Sequence, residues 1–127
     1  MELLLDTTVL IDVLRFRNAR RELLAKLLNE GHHFSTTVLN IAEVYAGVRE
    51  EEIELTGSFL DSLECHELNA RSGRRAGLLK TQWAKKGRTL SLADTIIAAI
   101  AIEKECSLMT DNRKDFPMPE LNLYPLT

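Results

Sequence analysis

One uninterrupted apolar segment constrains the fold of this chain more than any other feature. Residues 91–102 read SLADTIIAAIAI, and after Asp94 only Thr95 is polar until Glu103. A helix that is apolar on all sides is a buried one. The length and the alanines favour helix over strand, although the four isoleucines weaken that preference. The segment therefore predicts a core helix with Asp94 in its first turn.

Short apolar segments alternate with stretches of helical spacing on both sides of that helix. The predicted strands are Leu3–Leu5, Phe34–Thr36, Cys65–Leu68, Ser107–Thr110 and Leu121–Tyr124. Strands that alternate with helices along the whole chain imply an α/β fold, a three-layer α/β/α sandwich with a mostly parallel central sheet. A length of 127 residues fits a single domain spanning 1–127.

Two predicted helices have specific boundaries or faces that the structure can test. Asn18 is expected to open the second helix, which Gly31 ends. The helix that starts with the acidic residues Glu50, Glu51, Glu52 and Glu54 is expected to direct five apolar side chains inward, namely Ile53, Leu55, Phe59, Leu60 and Leu63.

Composition and scattered cysteines and histidines exclude several classes of protein. Cys65 and Cys106 are isolated, which predicts reduced thiols in a cytoplasmic protein. His32, His33 and His66 lack the spacing of zinc ligands. The first residues are too short and acidic for a signal peptide, and no apolar run is long enough to span a membrane. A net charge of -3 argues against general binding of polyanions.

Four carboxylates are expected at one edge of the sheet. Asp6 and Asp111 each follow a predicted strand, and Asp94 opens a helix. Glu43 interrupts the apolar pattern of its own helix and is expected to face inward. Because ligands of a parallel sheet bind beyond the carboxyl ends of its strands, these acids are expected to converge. Converging carboxylates repel one another unless cations are present, and hard oxygen ligands suit Mg²⁺ or Mn²⁺.

Each of these acids also has a purely structural explanation. Asp6 can cap a helix, and Asp94 stands at capping-box spacing from Ser91. Glu43 can reach the surface, and Asp111 suits an ordinary turn. Their joint placement is therefore what favours a site.

A basic segment precedes the Asp94 helix. No acidic residue lies between Glu67 and Asp94, whereas seven of the chain's 16 lysines and arginines do. A basic wall beside an acidic metal site suits a phosphodiester substrate, although a solvated helix face explains such a run equally well. The seven residues are Arg71, Arg74, Arg75, Lys80, Lys85, Lys86 and Arg88.

Taken together, these motifs resemble those of the PIN domain family, and more narrowly those of the VapC-type toxins of toxin–antitoxin pairs. The resemblance covers essentially the whole chain and rests on four motifs in order. They are a strand followed by Asp6-Thr7-Thr8, Glu43 within a helix, Ser91–Asp94 before an Ala/Ile-rich helix, and Thr110–Phe116.

The resemblance implies a Mg²⁺- or Mn²⁺-dependent endoribonuclease, commonly a homodimer inhibited by a small VapB-type antitoxin. By position, Asp6, Glu43 and Asp94 match the first three acids of the family, and Asp111 is predicted to complete the catalytic and metal-binding set. In the usual Thr-x-Asp/Asn pattern, however, Asn112 takes the fourth place, so that Asp111 or Asp115 would supply the missing charge.

A second departure concerns the residues beside Asp6. Thr8 stands where the family often has asparagine, and its hydroxyl is expected to orient Asp6, with Thr7 also assisting. The incomplete fourth acid leaves open a degenerate module that binds RNA or protein without cutting. A small-molecule phosphatase is a weaker alternative.

Overall fold

The computed structural model describes residues 1–126, which form five strands and six α-helices. Two 3₁₀ turns, Glu50–Glu52 and Arg113–Asp115, supplement them. In chain order the elements are β1 (Glu2–Leu5), α1 (Thr7–Leu14), α2 (Arg20–Asn29), β2 (His33–Thr37), α3 (Val38–Ala46), α4 (Ile53–Asp61), β3 (Glu64–His66), α5 (Ala70–Lys85), α6 (Leu92–Glu103), β4 (Ser107–Met109) and β5 (Asn122–Leu123).

All neighbouring strands of the sheet are parallel, in the order β3-β2-β1-β4-β5. The predicted mostly parallel sheet is therefore confirmed. β1 lies between β2 and β4, which is where the strand order reverses. In open parallel sheets this reversal leaves a crevice beyond the carboxyl ends of the central strands. Residues that directly follow β1 and β4 consequently face a natural binding position.

The two faces of the sheet carry separate apolar cores. Leu4 and Leu108 pack beneath α5 and α6, together with the buried apolar residues of α6. Leu3 and Leu5 point to the opposite face, where residues of α1, α2, α3 and α4 cover them. Because successive side chains of a strand alternate between faces, one short apolar strand supplies both cores. The α/β/α sandwich is confirmed.

The α6 helix is buried as its composition predicts. Ile97, Ala98, Ala99, Ile100 and Ala101 have almost no exposed surface. Its first turn is fixed by Ser91, whose hydroxyl oxygen accepts a hydrogen bond from the amide of Asp94 at 3.0 Å. The N-cap therefore fixes the backbone at the residue that carries the candidate carboxylate.

We expect Ser91→Ala to lower the free energy of unfolding by about 1 kcal/mol, because it leaves an amide of the first turn without its capping partner. Urea denaturation followed by circular dichroism measures this change. Ser58→Ala is a matched control, since Ser58 is an exposed residue inside α4. Equal effects of the two substitutions would contradict a specific cap at Ser91.

Two sequence-based expectations are wrong. Ile53 and Leu55 are about half exposed, while Phe59, Leu60 and Leu63 pack inward as predicted. α4 begins at Ile53, immediately after the turn Glu50–Glu52. Its first turn, which carries Ile53 and Leu55, lies outside the core.

The second helix also begins two residues later than predicted. Asn18 and Ala19 both adopt left-handed backbone conformations, with φ of 54° each. A helix cannot continue through such residues. The Asn18 side chain instead donates a hydrogen bond to Asp12 at 2.9 Å, and α2 starts at Arg20.

Within residues 1–126, no helix combines the length and the apolar character that a bilayer crossing requires.

Candidate active site

Asp6 lies at the centre of the site, directly after β1 and in the crevice between β1 and β4. Its side chain is buried and both carboxylate oxygens are held. The Asn40 amide donates to Oδ1 at 3.1 Å, and the Thr110 hydroxyl donates to Oδ2 at 2.7 Å. Asp6 also occupies the N-cap position of α1, but its side chain makes no capping hydrogen bond. The carboxylate is thus oriented for a purpose other than capping.

Glu43 reaches the same position from α3. Its Oε1 accepts a hydrogen bond from the Thr7 hydroxyl at 2.8 Å, and the Asn40 amide donates to that hydroxyl at 3.0 Å. Asn40 therefore connects the two acids, because it also bonds Asp6. Glu43 is exposed rather than inward-facing. Its carboxylate is therefore accessible to solvent while Thr7 holds it beside Asp6.

Burial and like charges act together on these carboxyl groups. Burial raises the pKa of Asp6 above its usual value, against hydrogen bonds from Thr110, the Thr7 amide and Asn40. The charge of Glu43 raises it further. Such an arrangement is unfavourable for the metal-free protein and is relieved when a cation binds.

Burial and neighbouring negative charges also shift the pKa of the Asp94 carboxyl group. Burial raises its pKa, while a hydrogen bond with Ser91 opposes that shift. The negative charges of Asp6, Asp115 and Glu43 raise the pKa of Asp94 further. The charges of these three carboxylates therefore act on Asp94, which also lies in the first turn of α6.

The carboxylates are nevertheless loosely spaced. Among the residues that the structure describes, the one set of three metal-ligating side chains with every ligand atom within 4.8 Å of the others lies elsewhere, and Asp6, Glu43 and Asp94 are not such a set. Mg²⁺ retains several water ligands and takes only one or two carboxylates directly. An open group of hard oxygen donors therefore fits Mg²⁺ or Mn²⁺.

Asp111 follows β4 at the same edge, but it is paired with a cation. Its Oδ1 accepts a hydrogen bond from Nη2 of Arg20 at 2.8 Å. The Arg20 side chain is buried, with 9% of its surface exposed, whereas that of Asp111 is 34% exposed. A buried guanidinium needs a carboxylate partner. The Asp111 carboxylate thus pairs with the buried Arg20 guanidinium. This pairing competes with the predicted role of Asp111 as a metal ligand.

The remaining predicted site residues, Asp115, Asn112 and Thr8, differ in what they contact. Asp115 is close enough to raise the pKa of Asp94. Asn112 is exposed and uses its backbone amide to bond the Thr110 hydroxyl at 3.0 Å. The Thr8 hydroxyl is buried and has no hydrogen-bond partner among the described residues. Thr8 does not orient Asp6 as expected, because Asn40 and Thr110 occupy both oxygens.

For Asp111→Asn we expect a stability loss of about 1–3 kcal/mol, since the buried Arg20 guanidinium keeps no charged partner. Mn²⁺ affinity measured by calorimetry well below the melting temperature should stay within about tenfold of wild type. Asp61→Asn, which changes an exposed aspartate at the end of α4, is the control variant. A loss of affinity as large as that of Asp94→Asn would return Asp111 to the candidate metal-binding set.

The basic segment is split between the two ends of the α5–α6 pair. Arg71 forms an ion pair with Glu103 at 3.8 Å, so the start of α5 lies beside the end of α6. Glu103 is nine residues from Asp94, or roughly 13 Å along the helix. The arginines at the start of α5 are thus remote from the carboxylates. Lys80 is used internally, because its ammonium group bonds the Leu90 carbonyl.

Three basic residues remain at the Asp94 end of the pair, namely Lys85, Lys86 and Arg88. Lys86 lies over the ring of Trp83 at 4.4 Å. The Arg88 guanidinium donates to the backbone carbonyl of Lys114, next to Asp115. Of the seven basic residues predicted to line the site, only these three therefore lie at its end of the α5–α6 pair.

Sequence analysis missed Asn40 and Thr110, the two residues that hold Asp6. Both are fully buried polar residues. One signal was available for Asn40: it stands three residues before Glu43, so the only two hydrophilic residues within residues 38–44 share one helix face. Thr110 opens the fourth family motif, but nothing in that motif indicates that its hydroxyl binds Asp6, since a threonine at a strand end is ordinary.

Known proteins match this chain over almost its whole length. Ribonuclease VapC19 of Mycobacterium tuberculosis is 34% identical over 119 residues, which is 93% of this chain and 95% of that protein. Ribonuclease VapC10 of the same organism is 30% identical over 118 residues, covering 93% and 88%.

The fold is shared with solved toxin–antitoxin complexes. A crystal structure of VapBC2 from Rickettsia felis, bound to a DNA fragment from its promoter, superposes with a TM-score of 0.84 at 25% identity and covers 98% of both chains. VapBC-1 from nontypeable Haemophilus influenzae superposes with a TM-score of 0.82 at 21% identity, covering 98% of this chain and 97% of that one. The family model of the PIN domain matches residues 3–118. With this match and this site, the chain belongs to the PIN domain family.

Proposed function

We propose that this protein is a VapC-type endoribonuclease that hydrolyses RNA phosphodiester bonds with the help of Mg²⁺ or Mn²⁺. The observation that carries the proposal is the hydrogen-bonded link from Asp6 through Asn40 and Thr7 to Glu43. The charges of Asp6 and Glu43 in turn raise the pKa of Asp94. A protein gains nothing in stability from bringing unpaired carboxylates together. The curated relatives are named ribonucleases, in agreement with such a site.

Asp6, Glu43 and Asp94 would hold the metal, with Asp115 as an additional negative charge. The ion would supply an activated water and neutralise charge that develops on the phosphate. The rest of the site positions these acids. Asn40 and Thr110 fix the two oxygens of Asp6, and the Thr7 hydroxyl restrains Glu43.

The neighbouring cations suit a substrate with several phosphates. Lys85, Lys86 and Arg88 lie at the Asp94 end of the α5–α6 pair, and RNA on either side of the cleaved bond carries negative charge. Phosphate contacts of this kind weaken steeply as salt rises. The start of α5 is too far away to contact the same phosphate, so Arg71, Arg74 and Arg75 drop out of the proposed RNA-binding set.

The proposed partner is a small VapB-type antitoxin, because the solved relatives are toxin–antitoxin complexes. An arginine of such a partner would block the site by pairing with its carboxylates. Glu43→Lys should then abolish binding of the antitoxin, measured by calorimetry. Unchanged binding would reject this arginine-capping mechanism. A homodimer is proposed on the family resemblance, and light scattering of the purified chain checks it.

The decisive experiment is incubation of purified, antitoxin-free protein with RNA and Mg²⁺ or Mn²⁺. Wild type should cleave, chelation should stop cleavage, and Asp94→Asn should be inactive. A wild-type protein no more active than Asp94→Asn would refute the proposal. RNA binding that survives chelation without products would identify a binding module instead, and hydrolysis of phosphomonoesters but not RNA would identify a phosphatase.

A further inference from the structure

Three side chains from distant parts of the sequence converge on the sheet face that α5 and α6 cover. They are Glu2 at the start of β1, His66 at the end of β3, and Cys106 immediately before β4. Their ligand atoms all lie within 4.8 Å of one another. Glu2 Oε2 is 2.6 Å from Nε2 of His66 and 2.8 Å from Sγ of Cys106.

This cluster is separate from the catalytic carboxylates. Glu2 begins the strand that Asp6 follows, and Cys106 belongs to the apolar core beneath α5 and α6. His66 and Cys106 are buried, with 7% and 2% of their surfaces exposed, whereas Glu2 is partly accessible. The group thus has an enclosed interior and one carboxylate that remains within reach of solvent.

Hydrogen bonding alone explains the cluster poorly. The Ser35 hydroxyl donates to Oε2 of Glu2 at 2.6 Å, so hydroxyl, imidazole and thiol all approach the same oxygen. A carboxylate has about four lone-pair positions shared between its two oxygens, and a thiol is only a weak donor. Three groups therefore crowd one carboxylate oxygen, and the thiol among them is only a weak donor that also lies 3.7 Å from the Lys104 carbonyl.

Thiolate, imidazole and carboxylate are together the donors that Zn²⁺ prefers. We propose that Glu2, His66 and Cys106 bind one Zn²⁺ ion, with water in the fourth position. Bonds of about 2.0–2.3 Å in a tetrahedron separate ligand atoms by roughly 3.5 Å. Side-chain movements of about 1 Å therefore convert the hydrogen-bonded cluster into a zinc site. The Ser35 hydroxyl remains a donor to Glu2 and orients it.

Zinc binding at this position requires the loss of the thiol proton. Burial and the hydrogen bond to Glu2 raise the pKa of Cys106 to about 12, so the metal-free side chain is a thiol. Each Zn²⁺ that binds forms a sulfur–zinc and a nitrogen–zinc bond, releases the thiol proton to solvent, and requires the hydrogen on Nε2 of His66 to move to Nδ1. The bound ion joins β1, β3 and the segment before β4, and its effect is expected on stability rather than on cleavage.

The test uses Co²⁺ as a spectroscopic probe on chelator-treated, reduced protein. Cobalt bound to a thiolate shows a sulfur-to-metal charge-transfer band, which the catalytic carboxylates cannot produce. We expect one equivalent of Co²⁺ to give this band in wild type and Zn²⁺ to displace it. The band should vanish in Cys106→Ser. The affinity for Co²⁺ should fall at least about a hundredfold in His66→Gln.

Two controls locate the site, and a third variant guards against misfolding. Cys65→Ser removes the exposed thiol and Asp94→Asn removes a catalytic carboxylate, and both should keep the band. If Cys106→Ser does not fold, Glu2→Gln takes its place in the test. This variant changes the most accessible ligand and should weaken Zn²⁺ binding. Absence of the band in wild type, or its loss in Cys65→Ser, would overturn the proposal. Cleavage activity is not needed for either result.

Discussion

Asp6→Asn is expected to reduce RNA cleavage by at least about a hundredfold and to leave the metal-free protein as stable as wild type or more so. The first effect follows because Asp6 is the carboxylate that the surrounding residues orient most completely. An amide carries no charge and is a poor ligand for a hard cation. Loss of this single charge should therefore remove metal-dependent activity.

The second effect follows from the environment of Asp6. Burial and the charge of Glu43 both raise the pKa of its carboxyl group, so the ionised form is unfavourable without a cation. Asparagine has nearly the same shape. Its oxygen can accept from Asn40, and its amide can donate to the Thr110 hydroxyl. We expect the free energy of unfolding to remain within about 1 kcal/mol of wild type or to increase.

Thermal unfolding with and without Mn²⁺, together with an RNA cleavage assay, tests both effects. Asp12→Asn is the matched control, because Asp12 is a similarly buried aspartate in α1 that accepts from Asn18 outside the site. Stabilisation of wild type by Mn²⁺ should disappear in Asp6→Asn and persist in Asp12→Asn. A strongly destabilised Asp6→Asn that still cleaves RNA would show that Asp6 is structural.

Ile97→Ala is expected to lower the free energy of unfolding by about 2–5 kcal/mol. Ile97 is almost fully buried in α6, within the core beneath α5. Removing its methyl groups leaves a cavity that the neighbouring alanines are too short to fill. A loss of about 3 kcal/mol corresponds to a fall in melting temperature of roughly 10 °C for a domain of this size.

Differential scanning calorimetry measures the shift, and Ile53→Ala is the control. Ile53 is 49% exposed at the start of α4, so the same change of side chain should alter stability by only about 0.5 kcal/mol. Ile97→Ala should still cleave RNA well below its melting temperature, because Asp94 is held by Ser91. Similar shifts for both variants would contradict the burial of α6 as the source of its stability.

Much of this molecule was predictable from local patterns. The apolar run after Asp94 identified α6, and the short apolar segments identified the strands, because burial and secondary structure both depend on residues only a few positions apart. Asp6, Glu43 and Asp94 were predicted as site residues for the same reason: each is a charge at a strand end, at a helix start or inside an apolar helix. Parallel strands then imply a shared edge.

Contacts between distant residues were decided by the tertiary structure alone. The bond from Thr110 to Asp6 joins positions 104 residues apart, and the pairing of Arg20 with Asp111 joins positions 91 apart. No periodicity records such pairs. The histidine and cysteine spacing excluded a zinc site, yet strand order brings Glu2, His66 and Cys106 together. Sequence determined which segments form the core strands and the core helix, whereas the order of the strands decided which polar side chains meet.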